Sequence, residues 1–186
     1  MNTPSPSSGP PLEGYRSYLL LLAQMQLAGR PQHQLEASDI VQQTLLEAHA
    51  QQHQFSGDRE ALAAWLRRAL ANNLADAARA KRRQKRDVRR EVSLAAAVEQ
   101  SSQRLEAMLA GPASSPSQQA VRSEELLRLA AALEQLPDAQ RQAVVLHHLQ
   151  GCSLLETARC LERSDAAVAG LLHRGLKRLR ESLSTE

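Results

Sequence analysis

The side chains in this chain best suited to chemistry are cations. The stretch RAKRRQKRDVRR, residues 79–90, holds eight Lys or Arg against one acid. A second set lies in LERSDAAVAGLLHRGLKRLR, residues 161–180, where Arg163, Arg174, Lys177, Arg178 and Arg180 stand among leucines and small residues. Guanidinium and ammonium groups at this density bind phosphates through charge-assisted hydrogen bonds, and two separated blocks suit two contacts with one polyanion. Enzyme chemistry is thin by comparison. No glycine-rich phosphate loop, H-E-x-x-H or C-x-x-C pattern occurs. His147, His148, Cys152 and Cys160 make the one metal-like cluster, but the two cysteines fall on separate helical segments, so a convergent ligand set is not expected. The expectation is a nucleic-acid-binding chain that is not an enzyme and takes no metal or cofactor.

Charge along the chain supports that direction more than its net value of +3 does. Residues 1–78 carry five Lys/Arg against seven Asp/Glu, residues 91–140 three against seven, and residues 141–186 seven against five. The signs therefore alternate acidic, basic, acidic, basic. Alanine and leucine are abundant while valine and isoleucine are scarce, which favours helix over sheet throughout. No apolar run has the length of a membrane span, and MNTPSPSSGPPLEG lacks the features of a secretory signal. Residues 1–14 read as a disordered tail, and two cysteines so close in sequence suit a reducing cytoplasm.

The elements that must position these cations read as helices. YRSYLLLLAQMQLA, residues 15–28, is apolar at helical spacing until Gly29-Arg30-Pro31 stops it. SDIVQQTLLEAHAQQ opens with Ser38 as N-cap, turns Ile40, Val41, Thr44, Leu45 and Ala48 to one face, and leaves Gln42, Gln43, Leu46 and Glu47 available. After the loop FSGDRE, a helix from Ala61 with Leu62, Trp65, Leu66, Ala69 and Leu70 inward runs into the basic block. Residues 93–116, with Gly111-Pro112 and Ser114-Ser115-Pro116, read as a linker whose 93–110 part carries a thin apolar face. A second domain, 117–186, restarts with Ser115, Pro116 and Gln118 as a capping box, and a further helix opens at Pro137 and ends at Gly151. The fold expected is all-α: two small helical domains, 15–92 and 117–186, joined by a flexible linker.

The last two helices have helix-turn-helix spacing, 153–161 and then 164 onward. Ser153 with Glu156 makes a capping box, and Ser164 caps the final helix. Val168, Leu171, Leu172, Leu176 and Leu179 recur at helical intervals for burial. The opposite face shows Ala166, Ala167, Ala169, Gly170, His173, Arg174, Lys177 and Arg178: a slim tip for the major groove and a basic stem for phosphates. Glu162 stands in the turn, where a glycine is usual because the backbone there favours positive φ.

These segments carry a family resemblance. SDIVQQTLLEAH resembles the polymerase-binding helix of bacterial RNA polymerase sigma factors, and AAWLRRALANNLADAARAKRRQKRD resembles their −10 helix. LEQLPDAQRQAVVLHHLQGCSLLETARCLERSDAAVAGLLHRGLKRLRESL resembles their −35-binding domain almost end to end. The likeness is to the sigma-70 family, extracytoplasmic-function type, which keeps regions 2 and 4. It covers roughly residues 15–90 and 117–183. VQQTLLEAH, LANNLADAAR and AGLLHRGLKRLRE are most like a planctomycete-type subgroup.

The resemblance implies a chain that joins core RNA polymerase and directs it to promoters. Asp39, Gln42, Gln43 and Glu47 match the face that docks on the clamp helices of the largest polymerase subunit, although the family usually has an acid where Gln43 stands. Phe55-Ser56-Gly57-Asp58 with Arg67, Arg68, Asn72 and Asn73 match the parts that hold the melted −10 strand, and Arg79, Lys81, Arg82, Arg83, Lys85 and Arg86 follow the duplex phosphates. Trp65 suits a core better than a stacking platform. Arg163, Ser164, Ala167, Gly170, His173, Arg174 and Lys177 match the −35-reading face. The polymerase flap region and an anti-sigma factor are further candidate partners, and the free chain is expected to be a monomer. The competing reading is a helix-turn-helix regulator that never joins the polymerase. It leaves the N-terminal half unexplained.

Overall fold

The computed structural model describes residues 12–27, 33–52, 55, 57–81, 88–109 and 119–184. Among them are eight α-helices and no strand: α1 (Arg16–Gln26), α2 (His33–Gln51), α3 (Arg59–Lys81), α4 (Val88–Leu109), α5 (Gln119–Glu134), α6 (Asp138–Val144), α7 (Leu154–Cys160) and α8 (Asp165–Ser184). A 3-10 turn, Leu12–Tyr15, leads into α1 and buries Leu12, so part of the stretch expected as a tail packs in the core. Helix α2 starts before Ser38, which is therefore an interior residue and not the N-cap. Gln34, Leu35, Glu36 and Ala37 are all good helix formers, and nothing in them stops the helix propagating backward. The cap expected at Ser115, Pro116 and Gln118 lies outside the described residues.

Helix α1 contacts α2, α3, α4 and α5. Its Tyr18, Leu19, Leu20, Leu21, Leu22 and Ala23 are all buried, so it is wrapped rather than one-sided. From α2, Ile40, Val41, Thr44 and Ala48 turn inward as the periodicity requires, and from α3, Leu62, Leu66, Leu70 and Leu74 do the same. Trp65 is half-buried against the core and stacks tilted on Phe55 at 5.7 Å between ring centroids. Gly57 sits close beside that pair: a Cβ there would stand 2.9 Å from Phe55 Cζ, so the ring would have to shift. Asp58 caps α3 by accepting from the Ala61 N–H at 2.8 Å.

Within the stretch expected to join the halves, residues 93–109 belong to α4. Its Val98, Ser101, Ser102 and Leu105 are buried, and it packs on α1 and α3. The two serines explain why its apolar face looked thin. Ser102 shares a 2.8 Å hydrogen bond with the Tyr18 hydroxyl, and Ser101 accepts from Gln26 at 2.9 Å, so both polar groups are satisfied in the interior. The C-terminal half closes against this bundle. Arg16 pairs with Glu134, Arg59 with Glu124, and Arg104 donates to the Leu149 carbonyl. A cavity of about 180 Å³ remains at the junction, lined by Tyr15, Tyr18, Arg67, Glu99 and Leu126 among others.

The C-terminal half forms as its sequence suggests. Pro137 precedes α6, which passes into a π-helical turn, Val145–Leu149, shown by the Gln150 N–H bonding the Val145 carbonyl at 2.9 Å. Gly151, at φ 76°, ends it. Ser153 and Glu156 cap α7 reciprocally, and Ser164 accepts from the Ala167 N–H to cap α8. Between α7 and α8 the Arg163 N–H bonds the Ala158 carbonyl and the Glu162 N–H bonds that of Arg159, a Schellman closure that needs a left-handed residue. Glu162 supplies it at φ 53°. Gly175 lets α8 approach α6, since a Cβ would lie 3.1 Å from Val144 Cγ2.

Two consequences are measurable. Glu162→Gly removes the Cβ strain of a left-handed residue, offset partly by a more flexible unfolded chain, and should stabilise by about 0.5–1 kcal/mol in urea unfolding. No gain would mean the turn is unstrained. Hydrogen bonds from the Ser153 side chain and backbone hold the Glu156 carboxyl below its ordinary value of 4.5. A depressed folded pKa gives stability that is present above that ordinary value and lost as pH falls through the folded one. Thermal midpoints of wild type and Glu156→Gln should therefore differ near neutrality and converge in acid. Parallel curves would exclude this contribution.

Candidate nucleic-acid interface

The face of α8 opposite its buried stripe is the clearest candidate for a recognition surface. Val168, Leu171, Leu172, Gly175 and Leu179 are buried, which leaves Ala166, Ala169, His173, Arg174, Lys177 and Arg178 exposed and Ala167 and Gly170 partly so. Arg163 and Ser164 are exposed at the start of this face, the serine hydroxyl being occupied by its cap. Lys177 lies 3.9 Å from Glu181, an exposed pair that costs little to separate. Arg174 folds back over Gly170, its Nη1 only 3.2 Å from where a Cβ would stand. The glycine thus leaves a recess in which a guanidinium lies flat along the helix. The expected residues are brought together on one surface, slim at the N-terminal end and cationic further along.

The N-terminal surface is more divided than its sequence implied. Arg68 and Asn72 are exposed on α3, and the Asn72 side chain makes no hydrogen bond among the described residues. Asn73 points the other way, donating to Thr44 Oγ1 at 3.1 Å and Glu47 Oε2 at 3.0 Å on α2. Arg67 is also turned inward: its side chain is 13% exposed and bridges Glu99 at 2.7 Å and the Tyr18 hydroxyl at 3.2 Å. Burial opposes its charge, but Tyr18 and Glu99 outweigh that and raise its pKa above the ordinary value. In this arrangement neither Arg67 nor the Asn73 amide is presented to a strand. Arg79 is exposed and pairs with Asp76, while Arg82, Arg83, Lys85 and Arg86, and the side chain of Lys81, lie outside the described residues.

On α2, Asp39, Gln42 and Gln43 are exposed beside Leu46, which is 59% exposed. Gln43 donates to Glu47 Oε1 at 2.7 Å. An exposed leucine flanked by hydrogen-bonding side chains suits a protein partner better than a nucleic acid. The histidine–cysteine region has another use: His147 Nδ1 donates to the Cys152 carbonyl at 2.8 Å, holding the turn before α7. Burial pushes the Cys152 thiol up, away from a reactive thiolate. No group of three or more His, Cys, Asp or Glu among the described residues is arranged for a metal.

Sequence reasoning missed Tyr18, Glu99, Arg104 and Gly175. Tyr18 had a signal, a hydroxyl set in an apolar run. Glu99 and Arg104 had none, because their partners Arg67 and Leu149 are distant in sequence. The recess at Gly170 gives a separable prediction. Gly170→Ala should stabilise α8 by about 1 kcal/mol, since alanine is the better helix former, yet displace Arg174 and weaken duplex binding roughly fivefold. Stability and anisotropy measurements on the same variant check it, and unchanged binding would release Arg174 from any dependence on the glycine.

Both halves of the chain match known proteins in sequence. Residues 15–84 match the family model for Sigma-70 region 2, and residues 126–179 match that for Sigma-70, region 4. The ECF RNA polymerase sigma factor SigX of Bacillus subtilis is 40% identical over 68 residues, 37% of this chain, and the matched part spans only 35% of that protein's length. A solved structure, the sigma factor RpoE in complex with the anti-sigma factor NepR from Bartonella quintana, aligns over 94% of this chain and 95% of that one at 23% identity, with a TM-score of 0.37. With region 2 on α1–α3 and region 4 on α5–α8, the chain belongs to the sigma-70 family.

Proposed function

We propose that this chain binds core RNA polymerase and directs it to promoters, reading the −10 element with residues 15–92 and the −35 element with residues 117–186, the stretch 93–116 joining the two. The observation that carries this reading is the presence of both regions in one chain, in order, with complementary exposed faces: α2 polar with a bare leucine, α8 slim and cationic. A regulator that never joined the polymerase would have no use for the α2 face. Asp39, Gln42, Gln43 and Glu47 face the clamp helices of the largest subunit in this reading. Arg68, Asn72 and Arg79 lie along −10 DNA, Arg82 and Arg83 are assigned to the same element from sequence alone, and Arg163, Ser164, Ala167, Gly170, His173, Arg174 and Lys177 take the −35 groove.

The match to SigX supports the extracytoplasmic-function type, and the phrases VQQTLLEAH, LANNLADAAR and AGLLHRGLKRLRE support a planctomycete-like subgroup. An anti-sigma factor and the polymerase flap are the further partners of this reading. Catalysis would belong to the polymerase, and the chain would act in the cytoplasm where the polymerase is. No helix among the described residues is long and apolar enough to cross a membrane.

A fluorescence anisotropy titration against purified bacterial core polymerase tests the reading. The wild-type chain should bind tightly, and the Asp39→Ala/Gln42→Ala variant about tenfold or more weakly, as expected for two central interface contacts. A folded wild-type chain that fails to bind core would overturn it.

A further inference from the structure

The hydrogen bonds around Glu47 link the two surfaces assigned above to different partners. Gln43, exposed on the outer face of α2, donates to Glu47 Oε1 at 2.7 Å. The other oxygen, Oε2, accepts from Asn73 Nδ2 on α3 at 3.0 Å. The same Asn73 nitrogen donates its second proton to Thr44 Oγ1 at 3.1 Å. Thr44 is fully buried, and its hydroxyl proton goes to the Ile40 carbonyl at 2.8 Å, so the oxygen is left to accept. Both protons of the Asn73 amide are therefore committed to α2, and its carboxylate partner is held in turn by a residue of the docking face. Asn72, the adjacent residue, faces outward.

We propose that Glu47 and Asn73 are a positioning pair that ties the polymerase-docking helix α2 to the −10 helix α3, leaving Asn72 to meet the DNA. The proposal rests on the polymerase reading and refines it. A charge-assisted hydrogen bond between two packed helices resists their sliding, because moving α3 by a fraction of a turn strands a carboxylate and an amide in a half-buried site. Docking at Gln43 and its neighbours then fixes the angle at which Asn72 and Arg68 are offered to the melted strand. Gln43 also acquires a reason in this chain. A glutamate there would lose the donor that steadies Glu47 and set two carboxylates on adjacent turns of one helix face.

The test compares polymerase holoenzymes formed with wild type, Asn73→Asp, Gln43→Glu and the exchanged pair Glu47→Gln/Asn73→Asp. The probe is the −10 sequence that wild-type holoenzyme selects from a randomised single-stranded pool, with its single-base variants. Asn73→Asp opposes two carboxylates and should lower probe affinity about tenfold and flatten the base preference, while core affinity changes less than about threefold. The exchanged pair keeps the wild-type net charge and restores one donor facing one acceptor, with the Thr44 hydroxyl free to turn to the new carboxylate. It should recover affinity to within about threefold, and base preference with it. Gln43→Glu removes the donor to Glu47 and, because Gln43 also lies on the docking face, is read on holoenzyme preassembled at saturating core, where it should lower probe affinity and flatten the base preference.

Recovery of base preference in the exchanged pair is the decisive result, since a merely destabilised fold loses affinity without changing which base is chosen. An exchanged pair as defective as Asn73→Asp would make Asn73 a direct reader and overturn the proposal. Unchanged probe affinity in Asn73→Asp, or in Gln43→Glu if the former does not fold, would also overturn it. Absence of core binding by the wild-type chain is a separate outcome, seen before any probe is added, and removes the polymerase reading itself.

Discussion

Everything in this molecule leans on the burial of α1. A short helix with Leu19, Leu20, Leu21 and Leu22 in succession has no polar face to give to water, so it must be surrounded. Helices α2, α3 and α4 cover part of it, and α5 of the C-terminal half covers more. Four buried leucines contribute on the order of 10 kcal/mol before conformational entropy is set against them. The ion pairs across the junction, Arg16 with Glu134 and Arg59 with Glu124, are substantially exposed and contribute about 1 kcal/mol or less each. Apolar contact, not charge, therefore governs the closed arrangement. Salt should therefore loosen the junction little.

That hierarchy explains how much could be read from the sequence. The periodic faces of α2, α3 and α8 were legible because each is a surface helix with one apolar stripe, and the inward residues named for them are buried or partly so. Turn chemistry was legible too: the capping box at Ser153 and Glu156, the cap at Ser164, and the left-handed backbone that Glu162 has to adopt. What stayed hidden depends on partners far apart in the chain. Helix α4 looked like a weak linker because its inward face carries Ser101 and Ser102, and serines count as polar until Tyr18 and Gln26 are known to meet them. The backward extension of α2 past Ser38 follows from a run of helix formers overriding a residue with cap chemistry.

The candidate site divides along the same line. On α8 the candidate face is simply what burial leaves over, so residues picked from spacing are found exposed or partly so. On α3 the same reasoning groups Arg67 with Arg68 and Asn72 with Asn73, because neighbours in sequence carry the same chemistry. Helical geometry separates them by about 100° per residue, and that angle decides their work. Arg68 and Asn72 face solvent, whereas Arg67 and Asn73 turn inward to Glu99 and Glu47. Identical side chains thus end up outward and inward in adjacent positions.

The division has a physical logic. A surface that binds a melted strand has to offer donors without a partner, which leaves it floppy unless something behind it is fixed. Here the inward member of each pair supplies the fixing: Arg67 anchors α3 to α4, and Asn73 anchors it to α2. The helix is held from two sides by hydrogen bonds to carboxylates, so the exposed Arg68 and Asn72 gain a defined orientation at no cost to their own donors. The same economy appears at the other end of the chain, where Gly170 gives up its side chain so that Arg174 can lie against the helix. In both places one residue sets the pose of a neighbour: Asn73 that of the helix carrying Asn72, and Gly170 that of Arg174.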